Sequence, residues 1–176
     1  MILKLKQTPG IYLAGFMGSG KNAIGELLAD EIGWPFVCLD AQIEKQEGVS
    51  ISQIFRDRGE PAFREIETQV LRKLIHNVEC GRPAVIALGG GAFTLEVNRK
   101  MLEQNGITVW LDCPFDIIQK RIGEHNHRPL AADPEHLRKL YDERRPLYAQ
   151  AECRVDSSNE DPMVTLRELL GLECFK

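Results

Sequence analysis

Residues Gly15-Phe16-Met17-Gly18-Ser19-Gly20-Lys21-Asn22 form a glycine-rich stretch that ends in a lysine. The apolar run Ile11-Tyr12-Leu13-Ala14 precedes it, and a helix-like series, Ile24, Leu27, Leu28 and Ile32, follows. Strand, glycine loop, lysine and helix are the context of a phosphate-binding P-loop. Glycines let successive backbone N–H groups turn inward around an anion. The helix that starts there aims its positive dipole end at the same point. Lys21 adds a point charge for β- and γ-phosphates. The next position ordinarily carries a Ser or Thr hydroxyl for Mg2+, and here it is Asn22.

Further along, Asp40 follows the apolar run Pro35-Phe36-Val37-Cys38-Leu39. A carboxylate at a strand's carboxyl end can accept a substrate hydroxyl's proton or hydrogen-bond to it. It can equally cap a helix starting at Ala41. Arg64 and Glu67, three residues apart, share one side of a helix. They read either as a solvated ion pair or as a site where the Arg64 guanidinium receives a carboxylate substrate. Gly89-Gly90-Gly91 after Ala84-Val85-Ile86-Ala87-Leu88 lets a ligand approach the backbone closely. Many P-loop proteins carry an acidic metal partner at such a strand end, and none is present at this one.

Arg121 to Leu130 is polar, contains Arg128-Pro129-Leu130, and reads as a mobile lid. A lid arginine can stabilise a phosphoryl group in transfer, and a lid excludes water. His125 and His127 lie here without further metal-ligand types nearby and read as solvated lid residues. In Asp142-Glu143-Arg144-Arg145-Pro146-Leu147-Tyr148, the arginines either answer a helix dipole or add a second grip on an anionic substrate.

These groups need a scaffold that brings them to one edge. Strands are expected at 11–15, 36–39, 84–88, 107–111 and 153–155. Helices are expected at 21–32, 41–47, 51–57, 61–76, 95–104, 115–123, 134–150 and 162–170. The alternation implies an α/β fold: a five-stranded parallel sheet flanked by helices. Ligands in such sheets bind outside the strands' carboxyl ends. The 61–76 helix shows its period in Phe63, Ile66, Val70, Leu71, Leu74 and Ile75, with Pro61 in its first turn. It belongs to a long insertion between the second and third strands, suited to carrying a second substrate.

A chain of 176 residues fits one domain, and the net charge of −4 argues against a general nucleic-acid binder. No signal peptide or membrane span is expected. The five cysteines are scattered without a CxxC, so reduced thiols in a cytoplasmic protein are expected.

Taken in order, these motifs resemble the shikimate kinase family, small P-loop kinases of aromatic amino-acid biosynthesis. The resemblance covers nearly the whole chain. It rests on the P-loop, Leu39-Asp40 with Ile43-Glu44, and Ile54-Phe55 with Gly59-Glu60. It continues through Phe63-Arg64-Glu65-Ile66-Glu67, Gly89-Gly90-Gly91-Ala92, Arg128-Pro129-Leu130, and Arg144 with Pro146-Leu147-Tyr148. It implies the P-loop kinase fold, with a single domain over 1–176, a substrate-binding insertion at about 40–76 and a lid at about 121–134. It also implies ATP-dependent phosphorylation of a shikimate hydroxyl, with Mg2+.

The roles it implies are specific. Lys21, Asp40 and Arg128 are catalytic. Nucleotide is held by Gly15, Met17, Gly18, Ser19, Gly20, Lys21, Asn22 and Ala23, with Arg121 and Pro162 flanking adenine and Arg128 over the phosphates. Shikimate is held by Asp40, Phe55, Phe63, Arg64, Glu67, Gly89, Gly90, Gly91 and Arg144. A monomer is expected. Two departures cluster at the metal: Asn22 replaces the hydroxyl, and Cys38 stands where the family usually has an Asp that holds the Mg2+ shell. Mg2+ prefers hard oxygen ligands and a thiol is a poor partner. The expectation is therefore Mg2+ held mainly by phosphates and water, with help from Asn22 and also from Asp40. Two alternatives stand beside this reading: a kinase for another polyhydroxy acid such as gluconate, and a non-catalytic nucleotide- or shikimate-binding protein.

Overall fold

A computed structural model describes residues 10–124 and 133–175. Five parallel strands form one sheet: β1 (Gly10–Ala14), β2 (Phe36–Cys38), β3 (Ala84–Ala87), β4 (Ile107–Asp112) and β5 (Cys153–Asp156), in the order β2-β3-β1-β4-β5. The inner strands β1, β3 and β4 are buried along their whole length. Helices cover both faces of such a sheet, so its strands read as continuous apolar runs rather than alternating ones.

The sheet still sorts its side chains by a period of two. Tyr12, Ala14, Ile86 and Trp110 face one core, shared with the helices α2 (Leu39–Glu47), α3 (Ile51–Glu79), α4 (Glu96–Gln104), α5 (Phe115–Glu124) and α6 (Pro134–Tyr148). Ile11, Leu13, Val85, Val109 and Val155 face the other, with α1 (Lys21–Ile32) and α7 (Pro162–Gly171). β1 lies at the centre, and the chain continues first to its β3 side and then to its β4 side. The loop after β1 therefore opens at the crevice where α/β sheets place ligands.

Local chemistry sets the element ends. Asp133 caps α6 through Glu135 and His136 N–H, with Pro134 at the first turn. Asp161 does the same for α7 ahead of Pro162. The helices expected at 51–57 and 61–76 form one element, Ile51–Glu79, broken at Gly59. Gly59 has φ 81° and ψ 170°, which a side chain would resist, and Pro61 restarts the helix without needing an N–H partner.

One expectation is corrected. Helix α2 begins at Leu39, so Cys38 occupies its cap position and Asp40 lies inside the first turn rather than capping a helix from Ala41. Cys153 on β5 and Cys174 in the C-terminal 3₁₀ turn (Glu173–Phe175) form a close pair, their Cα atoms 7.3 Å apart, because the turn packs against the same core as β5. The expectation of reduced thiols holds for Cys38, Cys80 and Cys113.

Candidate active site

The loop after β1 is built by backbone. Gly15, Gly18 and Gly20 take φ values of 146°, 79° and 92°, which turn the chain around a small cavity. Gly20 is the cap residue of α1 and offers no side chain, and no acid sits in the first helical turn. The helix N-terminus is thus left to an external anion. Lys21 opens α1, and its Nζ donates to the carbonyl oxygens of Gly15 (2.8 Å) and Phe16 (3.0 Å). Ser19 is buried within the loop, and Asn22 and Ala23 are exposed on the first turn.

A second cleft adjoins the loop and is lined by Ser19, Gly20, Ala23, Arg121, Asn159 and Pro162, among others. Arg121 spans it. One of its nitrogens donates to the Gly18 carbonyl (3.2 Å), and another to the carbonyls of Ser157 (3.0 Å) and Asn159 (2.9 Å). The flat guanidinium is thereby fixed beside the P-loop and opposite Pro162, an arrangement suited to a planar base. Ser157 and Asn159 were not singled out in the sequence because they act through backbone carbonyls, which carry no residue-type signal.

The other predicted side chains converge on the triple glycine. A Cβ placed on Gly89 would lie 2.7 Å from both Asp40 Oδ1 and Glu67 Oε1. One on Gly90 would lie 3.6 Å from Arg144 Nη1 and 3.7 Å from Met17 N. One on Gly91 would overlap the Arg64 guanidinium. Close approach favours glycine at positions 89 and 91, a Cβ on Gly90 would make ordinary contacts, and through Met17 the triple glycine joins the P-loop to the charged cluster. Phe55 and Phe63 complete one wall, their ring centroids 4.6 Å apart.

Arg64 and Glu67 are not a solvated pair. Arg64 Nη1 meets Glu67 Oε2 at 2.7 Å, and Glu67 is only 1% exposed. Arg64 also reaches Glu60 at 3.2 Å and lies over the Phe63 ring. Burial raises the Glu67 carboxyl pKa above its ordinary value, Arg64 pulls it back, and Asp40 adds to the rise. Glu67 Oε1 is buried, has no hydrogen-bond partner among the described residues, and faces the same point as Asp40. Such an atom has the free lone pairs that a substrate hydroxyl can satisfy.

Tyr148 is a further contributor to the same cluster. It is buried, accepts a hydrogen bond from Arg144 and donates one to the Gly90 carbonyl. Burial pushes its hydroxyl pKa up to about 12, so it stays a donor. Its signal was present in the spacing: Arg144 and Tyr148 are four apart, one turn of helix. Arg128, with His125, His127, Pro129 and Leu130, lies outside the described residues, as does most of the expected lid. Among the described residues no group of three or more His, Cys, Asp or Glu gathers as a metal site. Cys38 is a half-buried free thiol at the end of β2.

Residues 17–171 match the family model described as Shikimate kinase. The chain is 36% identical to the shikimate kinase of Persephonella marina, over 92% of this chain and 96% of that one. It is 40% identical to the shikimate kinase of Cereibacter sphaeroides, over 97% of this chain and 86% of that one. Among solved structures, the shikimate kinase of Acinetobacter baumannii in complex with shikimate superposes with a TM-score of 0.84 at 36% identity, covering 93% and 92% of the two chains. A gluconokinase from Sinorhizobium meliloti matches at a TM-score of 0.59 and 18% identity, a likeness of fold alone.

Proposed function

This chain belongs to the shikimate kinase family and is an ATP-dependent kinase of shikimate in aromatic amino-acid biosynthesis; from that premise we propose how its own residues carry the reaction. The alternatives of a gluconate kinase and a binding-only protein are not favoured. The observation that carries the residue assignment is the convergence of Asp40, Glu67, Arg64 and Arg144 on Gly89-Gly90-Gly91, beside the P-loop.

Arg64 and Arg144 grip the substrate carboxylate, and Asp40 and Glu67 hold ring hydroxyls. Asp40 orients or deprotonates the hydroxyl that attacks the γ-phosphorus. Phe55 and Phe63 pack against the ring. The P-loop backbone from Gly15 to Gly20, with Met17 and Ser19, cradles the phosphates. Lys21 exchanges its two loop carbonyls for phosphate oxygens, and Asn22 and Ala23 extend the cradle along α1. Arg121 and Pro162 flank adenine, and Arg128 covers the phosphates. The insertion at about 40–76 is the substrate-binding part, and residues of about 121–134 form the lid. Phosphoryl transfer then relies on alignment and charge stabilisation, without a covalent intermediate.

The metal is part of the same proposal. Asn22 offers one neutral side-chain oxygen, which fits Mg2+, whereas the Cys38 thiol does not. Asn22, together with phosphates and water, would hold Mg2+, which would supply charge neutralisation at the β- and γ-phosphates. We further propose a cytoplasmic monomer that binds only small molecules. No described helix is long and apolar enough to cross a membrane.

The test is shikimate-dependent ADP release over a wide Mg2+ series. Lys21→Ala is expected to lose roughly 10²–10³-fold in turnover, the scale of a removed charge-stabilising group. Asn22→Ser with Cys38→Asp is expected to lower the Mg2+ concentration at half-maximal rate. Full activity in the Lys21 variant would refute the phosphate assignment. An unchanged Mg2+ midpoint in the double variant would refute the metal assignment.

A further inference from the structure

Arg144 and Arg145 are adjacent on α6 and about 100° apart around the helix, so they reach different partners. Arg144 faces Gly90. Arg145 turns to the carboxyl end of β4, where its Nη2 meets Asp112 Oδ2 at 2.9 Å. Its Nη1 donates to the Tyr141 hydroxyl at 2.7 Å, and that hydroxyl donates to the Cys113 carbonyl at 2.9 Å. The guanidinium also lies 5.2 Å from the centroid of Trp110. Asp112 is 7% exposed and takes a second arginine, Arg154 of β5, at 2.5 Å. Arg154 lies over the same indole.

This fastening occurs where the helix is weakest. Pro146 sits inside α6, so the peptide N–H that would bond to the Asp142 carbonyl does not exist, and its ring crowds that carbonyl. The last turn of α6, which carries Arg144 and Tyr148, is therefore held to the sheet by side chains. Arg145 to Asp112 fixes it on one side, and Tyr148 to the Gly90 carbonyl fixes it on the other.

We propose that Arg145, anchored on Asp112, is a positioning residue for shikimate: it sets the orientation of the last turn of α6 so that Arg144 meets the substrate carboxylate. The proposal rests on the reading of Arg144 given above. Arg145 touches no substrate itself. Arg154 neutralises Asp112 from β5 and has no part in orienting α6. The two arginines thus share an acid and differ in what they hold.

The test measures shikimate affinity by calorimetry, with ATP affinity as the control, for Arg145→Gln, Arg154→Gln, Arg144→Ala and the Arg144→Ala/Arg145→Gln pair. Arg145→Gln is expected to weaken shikimate binding roughly tenfold, the effect of a misplaced clamp, with ATP affinity within about twofold of the parent. Arg154→Gln is expected to leave shikimate affinity within the same margin. In the Arg144→Ala background, Arg145→Gln is expected to add nothing, because a residue that acts through another is non-additive with it. Equal losses from Arg145→Gln and Arg154→Gln would overturn the proposal in favour of Asp112 electrostatics. Additive losses in the pair would overturn it in favour of a general structural role. Weakened binding in Arg144→Ala with none in Arg145→Gln would overturn it alone, whereas unchanged binding in Arg144→Ala would overturn the reading of Arg144 as well.

Discussion

Gly91→Ala isolates the Arg64 clamp without touching Arg64. Gly91 has φ −103° and ψ −13°, which any residue adopts, so the substitution adds no backbone strain. The new Cβ would lie 2.5 Å from Arg64 Cζ, where ordinary contact begins at 3.4 Å. The guanidinium must retreat by ~1 Å. Its retreat disturbs the 2.7 Å contact with Glu67 and the 3.2 Å contact with Glu60, which fix its plane. A misplacement of ~1 Å can cost about 100-fold in rate, equivalent to ~2.7 kcal/mol. In the proposed assignment Arg64 grips the substrate away from the reacting hydroxyl, so the loss is expected in the KM for shikimate more than in kcat. The assay is ADP release with shikimate varied at saturating ATP, then the reverse, alongside a thermal melt. A rise of 10- to 100-fold in shikimate KM is expected, with ATP KM and Tm near the parent values. A shikimate KM within twofold of the parent would refute the reasoning, as would an equal rise in both KM values.

Two further outcomes follow from packing and from titration. Gly25→Ala should destabilise the protein although it improves helix propensity by up to ~1 kcal/mol. A Cβ there would overlap the Phe36 ring and lie 3.2 Å from Leu13 Cδ1, so overpacking of ~1–3 kcal/mol prevails; chemical denaturation should give a lower midpoint, and a higher one would show that α1 has room to shift. Glu67→Gln should change the pH dependence of stability in a defined sense. The Glu67 carboxyl pKa is raised from 4.5 in the folded state. The folded form therefore binds more protons than the unfolded form, and stability falls as pH rises from 4.5 through the folded value. Removing the group removes that fall, so the stability of Glu67→Gln relative to the parent should climb across that window and level off above it. A flat or declining difference in denaturation series would contradict the buried, desolvated carboxyl.

How much of this was legible in the sequence depends on what each residue responds to. The inner strands β1, β3 and β4 were readable because a parallel sheet buried on both faces makes them apolar runs bounded by turn residues. The helices were readable from their period, and the structure adds the caps Ser50, Asp133 and Asp161. Asp40 lies two positions further into the helix than a cap. An acid between a strand and a helix suits both a cap and a first turn, and only the apolar burial of Leu39 decides that the helix starts earlier. Arg144 and Arg145 could not be told apart by type. Their division of labour follows from the direction in which each leaves the helix, which depends on where β4 ends. The pairing of Cys153 with Cys174 depends on how the C-terminal turn folds back, and the spacing of the two residues carries no sign of it.

The two departures at Asn22 and Cys38 lie in the half of the site that side chains build least. The phosphate cradle is made of turned backbone and of Lys21 held on two loop carbonyls. A phosphate also brings its own oxygens to a metal, so one exchanged ligand leaves most of the coordination to the nucleotide and water. The substrate half is different. Each of its contacts is a side chain placed by another: Arg64 by Glu67, Arg144 by Tyr148, and Tyr148 by Gly90. No backbone group there can replace a lost guanidinium, and an unmatched carboxylate in that pocket would be left desolvated and unpaired. The same physics explains why a side chain at Gly89 or Gly91 would crowd Asp40, Glu67 or Arg64, while the residue after Lys21 has changed type. Tolerance in this site follows whether a contact is made by the main chain or by a single side chain, and the Gly91→Ala and Asn22→Ser/Cys38→Asp variants probe the two cases in opposite directions.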